Sequence, residues 1–227
     1  MNHQHPSSAA KGSSPSVSSP IDSDAAGTAQ AAPATLFGGL RDRFEFLKGF
    51  LGNPNGVASM VPSSHWLEQR VVRAAGLSQA RCVIELGPGT GGTTRALLRA
   101  MPAQARLLAI ELNPEFHAHV KKVVRDPRLQ LELGSAENIG DYLASRRLPP
   151  ADVVVSGIPF STMPFEVGDR IAQAIAQHLA PGGRFVAYQW TPVVAERTTP
   201  YLGVPRKQLE VFNLPPMRVF TWTKASA

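Results

Sequence analysis

The sequence predicts an α/β fold: a seven-stranded, mostly parallel sheet that closes with an antiparallel hairpin and carries helices on both faces. Three observations predict it. From Arg81 onward, short β-branched runs alternate with stretches of helical period, the pattern of right-handed crossover units. A glycine cluster, Gly87-Pro88-Gly89-Thr90-Gly91-Gly92, follows the first of those runs. The last two runs are separated by Pro215-Pro216, a turn that makes them a hairpin.

Residues 1–34 are dominated by Ser, Ala, Pro and Gly, with Lys11, Asp22 and Asp24 as formal charges. So few large apolar groups cannot offset the entropy of ordering, and a disordered tail is expected. It has no apolar core of a secretory leader, and His3 and His5 alone make a poor metal site. Leu36, Leu40, Phe44, Leu47 and Leu51 then recur at helical spacing, bordered by Phe37 and Phe50, with Arg41, Arg43 and Lys48 near the stripe. An amphipathic helix is expected over 35–52, stopped by Gly52-Asn53-Pro54. It could pack on the sheet or lie on a lipid surface. A single domain is expected over 53–227. Its strands are placed at 81–86, 106–111, 128–133, 152–156, 184–190, 209–213 and 218–223, and its helices at 93–101, 114–124, 139–145 and 166–179.

Composition narrows the partners. The 227 residues are 43% hydrophobic, enough for one substantial core. Lys and Arg number 23 against 17 Asp and Glu, a net charge of +6, and the 1–34 segment itself is net −1. The basic excess therefore belongs to the rest of the chain, and it favours nucleic acid, anionic lipid or a charged small molecule. One cysteine, Cys82, excludes an internal disulfide or a multi-thiolate zinc site, and no metal is expected. No apolar run approaches the ~20 residues that cross a bilayer, so a cytoplasmic protein, monomeric when soluble, is expected.

The glycine loop holds the chemistry. Glycines permit the tight turn and let a ligand lie against bare backbone. Gly87, Gly89 and Gly92 alone also fit the GxGxxG of NAD-binding proteins. Two features favour another ligand. Glu85 sets a carboxylate where a pyrophosphate would pass, and Pro88 removes an amide that a phosphate cradle would use. One strand later Glu111 can accept both hydroxyls of a ribose, or be a solvated strand-end acid.

Glu85-Leu86-Gly87-Pro88-Gly89-Thr90-Gly91 with Glu111 resembles the first two motifs of class I S-adenosylmethionine-dependent methyltransferases. The resemblance implies a Rossmann-like fold, S-adenosylmethionine as cofactor, and cofactor contacts at Glu85, Gly87, Pro88, Gly89, Thr90, Gly91, Glu111, Leu112 and Ser156. It implies contacts to the adenine at Ser135, Ala136 and Glu137, although Ser135-Ala136-Glu137 could equally start a helix. Family members that methylate the amine of adenine carry Asn or Asp, a hydrophobic residue, Pro and an aromatic after the fourth strand. Ile158-Pro159-Phe160 matches the end of that motif, with Ser156-Gly157 in place of its polar head. The wider series, with Phe46-Leu47-Lys48, Val61-Pro62-Ser63-Ser64 and Asn213-Leu214-Pro215-Pro216, resembles the bacterial phospholipid N-methyltransferases. These methylate phosphatidylethanolamine toward phosphatidylcholine.

The second resemblance implies a peripheral enzyme on the inner face of the cell membrane, with Phe37, Leu40, Arg41, Arg43, Phe44, Leu47, Lys48, Phe50 and Leu51 docking on anionic lipid. It implies lipid contacts at Ser63, Ser64, Ile158, Pro159 and Phe160. Ser156, Tyr188 and His65 are the candidate catalytic groups, although His65 could simply begin a helix and Tyr188 could simply pack. Arg197 and Arg206 are further partners for a lipid phosphate. Ribosomal RNA adenine dimethylation, ornithine-lipid methylation and a non-catalytic membrane-surface protein stand as alternatives. Ser156 and the amphipathic stripe favour lipid over nucleic acid.

Overall fold

A computed structural model describes residues 63–213 and 215–226. The expected tail at 1–34 and helix at 35–52, including every proposed membrane-docking residue from Phe37 to Leu51, lie outside the described residues.

Seven strands form one sheet: β1 (Cys82–Leu86), β2 (Arg106–Glu111), β3 (Leu129–Leu133), β4 (Ala151–Ser156), β5 (Leu179–Gln189), β6 (Arg206–Glu210) and β7 (Met217–Thr223). Their order is β3-β2-β1-β4-β5-β7-β6. The first five are parallel, β7 is antiparallel to β5, and β6 is antiparallel to β7. The strand order therefore reverses between β1 and β4, the place where ligands bind in such sheets.

Both faces of β1 are covered, which is why its five residues are all buried. Cys82, Ile84 and Leu86 face a layer built with α4 (Ile139–Ser145), α5 (Phe165–His178) and α6 (Val193–Leu202). Val83 faces the other layer, built with α1 (His65–Ala75), α2 (Gly92–Ala100) and α3 (Pro114–Val123). Burial pushes the Cys82 thiol up to about 12, so it packs as a small hydrophobe.

Four differences from the expected elements have local causes. Helix α1 extends one turn after another from Ser64, whose hydroxyl accepts from the Leu67 amide at its N-terminus. Leu67, Val71 and Ala75 then bury one face at a spacing of four. Helix α6 forms despite Pro200 near its end, where Gly203 donates back to the Thr199 carbonyl. Strand β5 begins at Leu179 because an irregularity opposite Ala151–Val153 lets the chain absorb Pro181-Gly182-Gly183 and still pair. Strand β6 lies three residues earlier than expected. The Glu210 carboxylate accepts from the Phe212 amide, and the Asn213 side chain bonds to both Ser64 and Pro215, so the chain is already turning there.

Phe160 overturns its expected role. Its ring is fully buried in the α4–α5–α6 layer and stands against Gly168, so it cannot stack on a substrate. Phe160→Ala is expected to cost about 3–5 kcal/mol in denaturant unfolding, the range for deleting a buried aromatic. A loss of activity without loss of stability would restore the substrate role.

Candidate active site

The strand ends on either side of the reversal supply the site. After β1 the chain turns through Gly87, Gly89 and Gly91, all with positive φ. Only glycine adopts this sequence of conformations without strain. A side chain at Gly87 would collide with Ile158 of the loop after β4, its Cβ lying 2.7 Å from Cγ2. At Gly89 a Cβ would meet nothing within 4 Å. The loop is therefore pinned on one side and bare on the other, and a flat ligand can lie against it.

Glu111 ties this loop to β2. Its Oε2 accepts from the Gly89 amide at 3.1 Å and its Oε1 from the Asn113 amide at 2.9 Å. Asn113 in turn caps α3 through Glu115 and Phe116. Burial raises the Glu111 carboxyl, and these backbone donors partly reverse the rise. A buried carboxylate at a second strand end, beside a glycine turn, is a built acceptor for paired hydroxyls.

Glu85 is more demanding. It is fully buried, and neither carboxylate oxygen has a hydrogen-bond partner of ordinary geometry among the described residues. Burial pushes its carboxyl up to about 8; nearby Thr94 opposes the rise, while Glu111 and Glu68 add to it. An unsatisfied carboxylate under the loop is the complement of a cationic ligand group. Glu68 was not foreseen. It projects from the first turns of α1 so closely over Gly92 that a Cβ there would lie 2.5 Å from Oε1. The four-residue apolar spacing of α1 and its Ser64 cap were the available clues.

Tyr188, near the end of β5, completes this wall. Its hydroxyl shares a hydrogen bond with Thr93 at 3.2 Å and a second interaction with Ser63. Burial first, then the charge of Glu85, drives the phenol well above its usual range. It stays protonated at neutral pH, so as a candidate catalytic group it can orient or donate. The same hydroxyl occupies the space into which a side chain at Gly157 would grow. The polar head missing from the fourth motif is thus replaced in space by a phenol from the neighbouring strand. On the other face of the sheet Ser156 is fully buried, its hydroxyl without a partner among the described residues, and Gln189 donates to the Ile158 carbonyl.

Other expected residues are engaged elsewhere. His65 is exposed and bonded to Gln69, one turn along α1, so it begins a helix and faces solvent. The Ser64 hydroxyl accepts from the Leu67 amide at the helix cap, which fixes its oxygen toward α1. Ser135 accepts from the Glu137 amide and donates to its carboxylate, opening the short turn Ala136–Asn138. Glu137 also pairs with Arg170 at 2.7 Å. Arg206 sits on edge strand β6, three strands out from β4, so it is corrected as a phosphate ligand of this cleft. Arg197 is nearer, donating to the Phe165 carbonyl beside the loop after β4. Ser63, Ile158, Pro159, Leu112 and Thr90 all lie on the loops that rim the cleft and are half-buried. Pro88 is buried beneath it. Among the described residues, no group of three His, Cys, Asp or Glu could hold a metal ion.

Sheet order, glycine loop and paired strand-end carboxylates define a nucleoside-binding α/β enzyme with an antiparallel seventh strand. The comparisons agree. The Methyltransferase domain family matches residues 83–183. An ornithine lipid N-methyltransferase of Singulisphaera acidiphila is 31% identical over 159 residues, which cover 70% of this chain and 83% of that protein. A ribosomal RNA small subunit methyltransferase A of Gloeobacter violaceus is 34% identical over 106 residues, 43% of this chain but only 34% of that enzyme. The crystal structure of the N-methyltransferase NodS from Bradyrhizobium japonicum, bound to S-adenosylhomocysteine, superposes with a TM-score of 0.59 at 14% identity. That match covers 80% of this chain and 98% of the other. The chain belongs to the class I S-adenosylmethionine-dependent methyltransferases, and S-adenosylmethionine is its methyl donor.

The residues present fit that cofactor: a bare backbone face at Gly89, a buried acceptor for its ribose at Glu111, and an unpaired acid at Glu85 for its cationic end. Without a ligand, folded Glu85 keeps its proton up to about pH 8, whereas the unfolded chain releases it near 4.5. The unfolded state then binds fewer protons between these values, so stability falls as pH rises through that window. Between about pH 5 and 8, Glu85→Gln is expected to lose roughly 3 kcal/mol less than the wild-type protein in urea titrations. Parallel curves would show that Glu85 is already ionised in the fold.

Proposed function

We propose that this methyltransferase acts on the primary amine of a membrane-lipid headgroup, with an ornithine lipid as its first substrate. The observation that carries this reading is the similarity to the Singulisphaera acidiphila ornithine lipid N-methyltransferase along 83% of that protein's length. Phosphatidylethanolamine is the second substrate in this reading, supported by the same chemistry, a primary amine beside an anionic group. The adenine-amine reading has weaker support. Its relative is matched over about a third of its length, and Gly157 with Tyr188 stands where that motif has an amide side chain.

Bound in the cleft, S-adenosylmethionine supplies an electrophilic methyl group for in-line attack by the amine. The chain's own residues position the partners. Glu111 and the Gly89 face hold the nucleoside, and Glu85 balances positive charge beneath the loop. The Tyr188 hydroxyl, fixed by Thr93 and Ser63, orients the amine, while Ile158 and Pro159 wall the cleft. The amine must lose its proton before attack. A dry site beside a positive sulfur favours the neutral amine through burial and like-charge repulsion, so positioning and water exclusion supply the catalysis and no dedicated base is required.

Methyl-labelled cofactor should be offered to the enzyme with mixed vesicles containing an ornithine lipid and phosphatidylethanolamine, and in parallel with ribosomal RNA. Label is expected in the lipid fraction, faster in the ornithine lipid. Label confined to RNA would refute the reading, and label in phosphatidylethanolamine alone would reverse the order of substrates.

A further inference from the structure

The exposed Trp and Phe side chains are not scattered. Among the described residues, the exposed Trp and Phe side chains are Trp66, Phe165, Trp190 and Phe212. All four stand at the C-terminal edge of the parallel strands, where the cleft opens. Trp66 lies in the first turn of α1 and Phe212 in the β6–β7 turn, their rings 5.8 Å apart. Trp190 directly follows β5, and Phe165 opens α5 after the β4 loop. Phe212 is 70% exposed and Phe165 61%, so water covers most of each ring.

Cations accompany this ring of aromatics. The Arg197 guanidinium lies 4.0 Å from the centroid of the Phe165 ring. Arg218 donates to the Trp190 carbonyl. Leu209 and Val211 are exposed toward the end of β6, whereas exposed Arg206 and Lys207 pair farther back along the sheet, away from the rings. The acid of that hairpin, Glu210, is buried and paired with Arg70 at 2.6 Å. Glu166 beside Phe165 and Glu196 beside Arg197 are exposed as well, so the rim carries both signs of charge, and Trp and Arg side by side are the composition of a surface that lies at the headgroup level of a bilayer. The charges of Arg206 and Lys207 on edge strand β6 oppose its pairing with a second copy of the chain.

The ring also borders the site. The Ser64 amide donates to the Asn213 side chain, next to Phe212, and neighbouring Ser63 reaches the Tyr188 hydroxyl. We propose that Trp66, Phe165, Trp190 and Phe212 form a ring that seats the cleft mouth on a bilayer surface, so that a headgroup rises into the site as its acyl chains stay in the membrane. The proposal rests on the lipid reading of function. It adds that the catalytic domain itself docks, separately from the amphipathic stripe at 35–52.

The test uses the full chain and vesicles of equal parts phosphatidylcholine and phosphatidylglycerol, with a minor share of ornithine lipid and phosphatidylethanolamine as the amine acceptors. Two double variants are compared, Trp66→Ser with Phe212→Ser, and Phe165→Ser with Trp190→Ser. Each pair is expected to weaken co-sedimentation about ten-fold and to slow methylation of bilayer lipid, while turnover of a short-chain, water-dispersed lipid amine stays at the wild-type level. Wild-type tryptophan emission is expected to shift to the blue on vesicles through Trp66 and Trp190, because Trp222 is already buried. Unchanged sedimentation of both variants would overturn the ring. So would a lower melting temperature with unchanged vesicle binding, the mark of a patch covered by residues 36–51. Loss of a concentration-dependent dimer with unchanged vesicle binding would mark it as a self-interface and overturn it too. A wild-type protein that binds vesicles through the ring yet methylates no lipid would refute the lipid reading and leave the ring standing.

Discussion

Glu85 sits near the end of the central strand, fully buried, with no cation and no hydrogen-bond donor of ordinary geometry to satisfy it among the described residues. Such a group is tolerated only because it can keep its proton, and even so it works against the folded state as pH rises. The surrounding structure is arranged around it. Glycines at 87, 89 and 91 turn the chain tightly over it, Glu68 crosses from α1 to close the side at Gly92, and the Tyr188 phenol, kept protonated chiefly by its burial, stands nearby. A strand end that only had to be stable would carry an apolar residue there. The acid is retained where a positively charged ligand must be held.

The parts of this arrangement that were legible in the sequence are those written in consecutive residues. The β1–loop–α2 unit and Glu111 follow from periodicity and glycine spacing, and the crossover pattern predicts five parallel strands. What was not legible depends on partners distant in sequence. The Ser64 hydroxyl has the composition of a ligand, but its place just before α1 commits it to a cap. Phe160 fits an aromatic motif, but the direction of the loop after β4 turns it into the core. Glu137 looked available until Arg170, 33 residues away, came into reach. Helix α6 was hidden by Pro200, and the shift of β6 by a turn that Glu210 and Asn213 close with their side chains.

Gly157 shows how a motif can change its letters and keep its geometry. In an adenine-modifying site a polar side chain stands at the end of β4. Here that position has no side chain, and the Tyr188 hydroxyl fills the same space from β5. A phenol oxygen fixed by Thr93 is a single directional contact in place of a two-pronged amide, suited to a small alkyl amine more than to a planar base. This agrees with a lipid headgroup as acceptor, and with a cleft whose rim carries aromatics and arginines.

A Glu85 that meets the positive end of S-adenosylmethionine must change its protonation when the cofactor binds. Calorimetric titration of the cofactor at about pH 7, in buffers of different ionisation enthalpy, measures this directly. Glu85 is protonated in the free protein at that pH, since its carboxyl is pushed up to about 8, and a cation beside it lowers that value. Binding should therefore release close to one proton from the wild-type protein and almost none from Glu85→Gln. Proton release that is the same in both proteins, or absent from both, would contradict that contact.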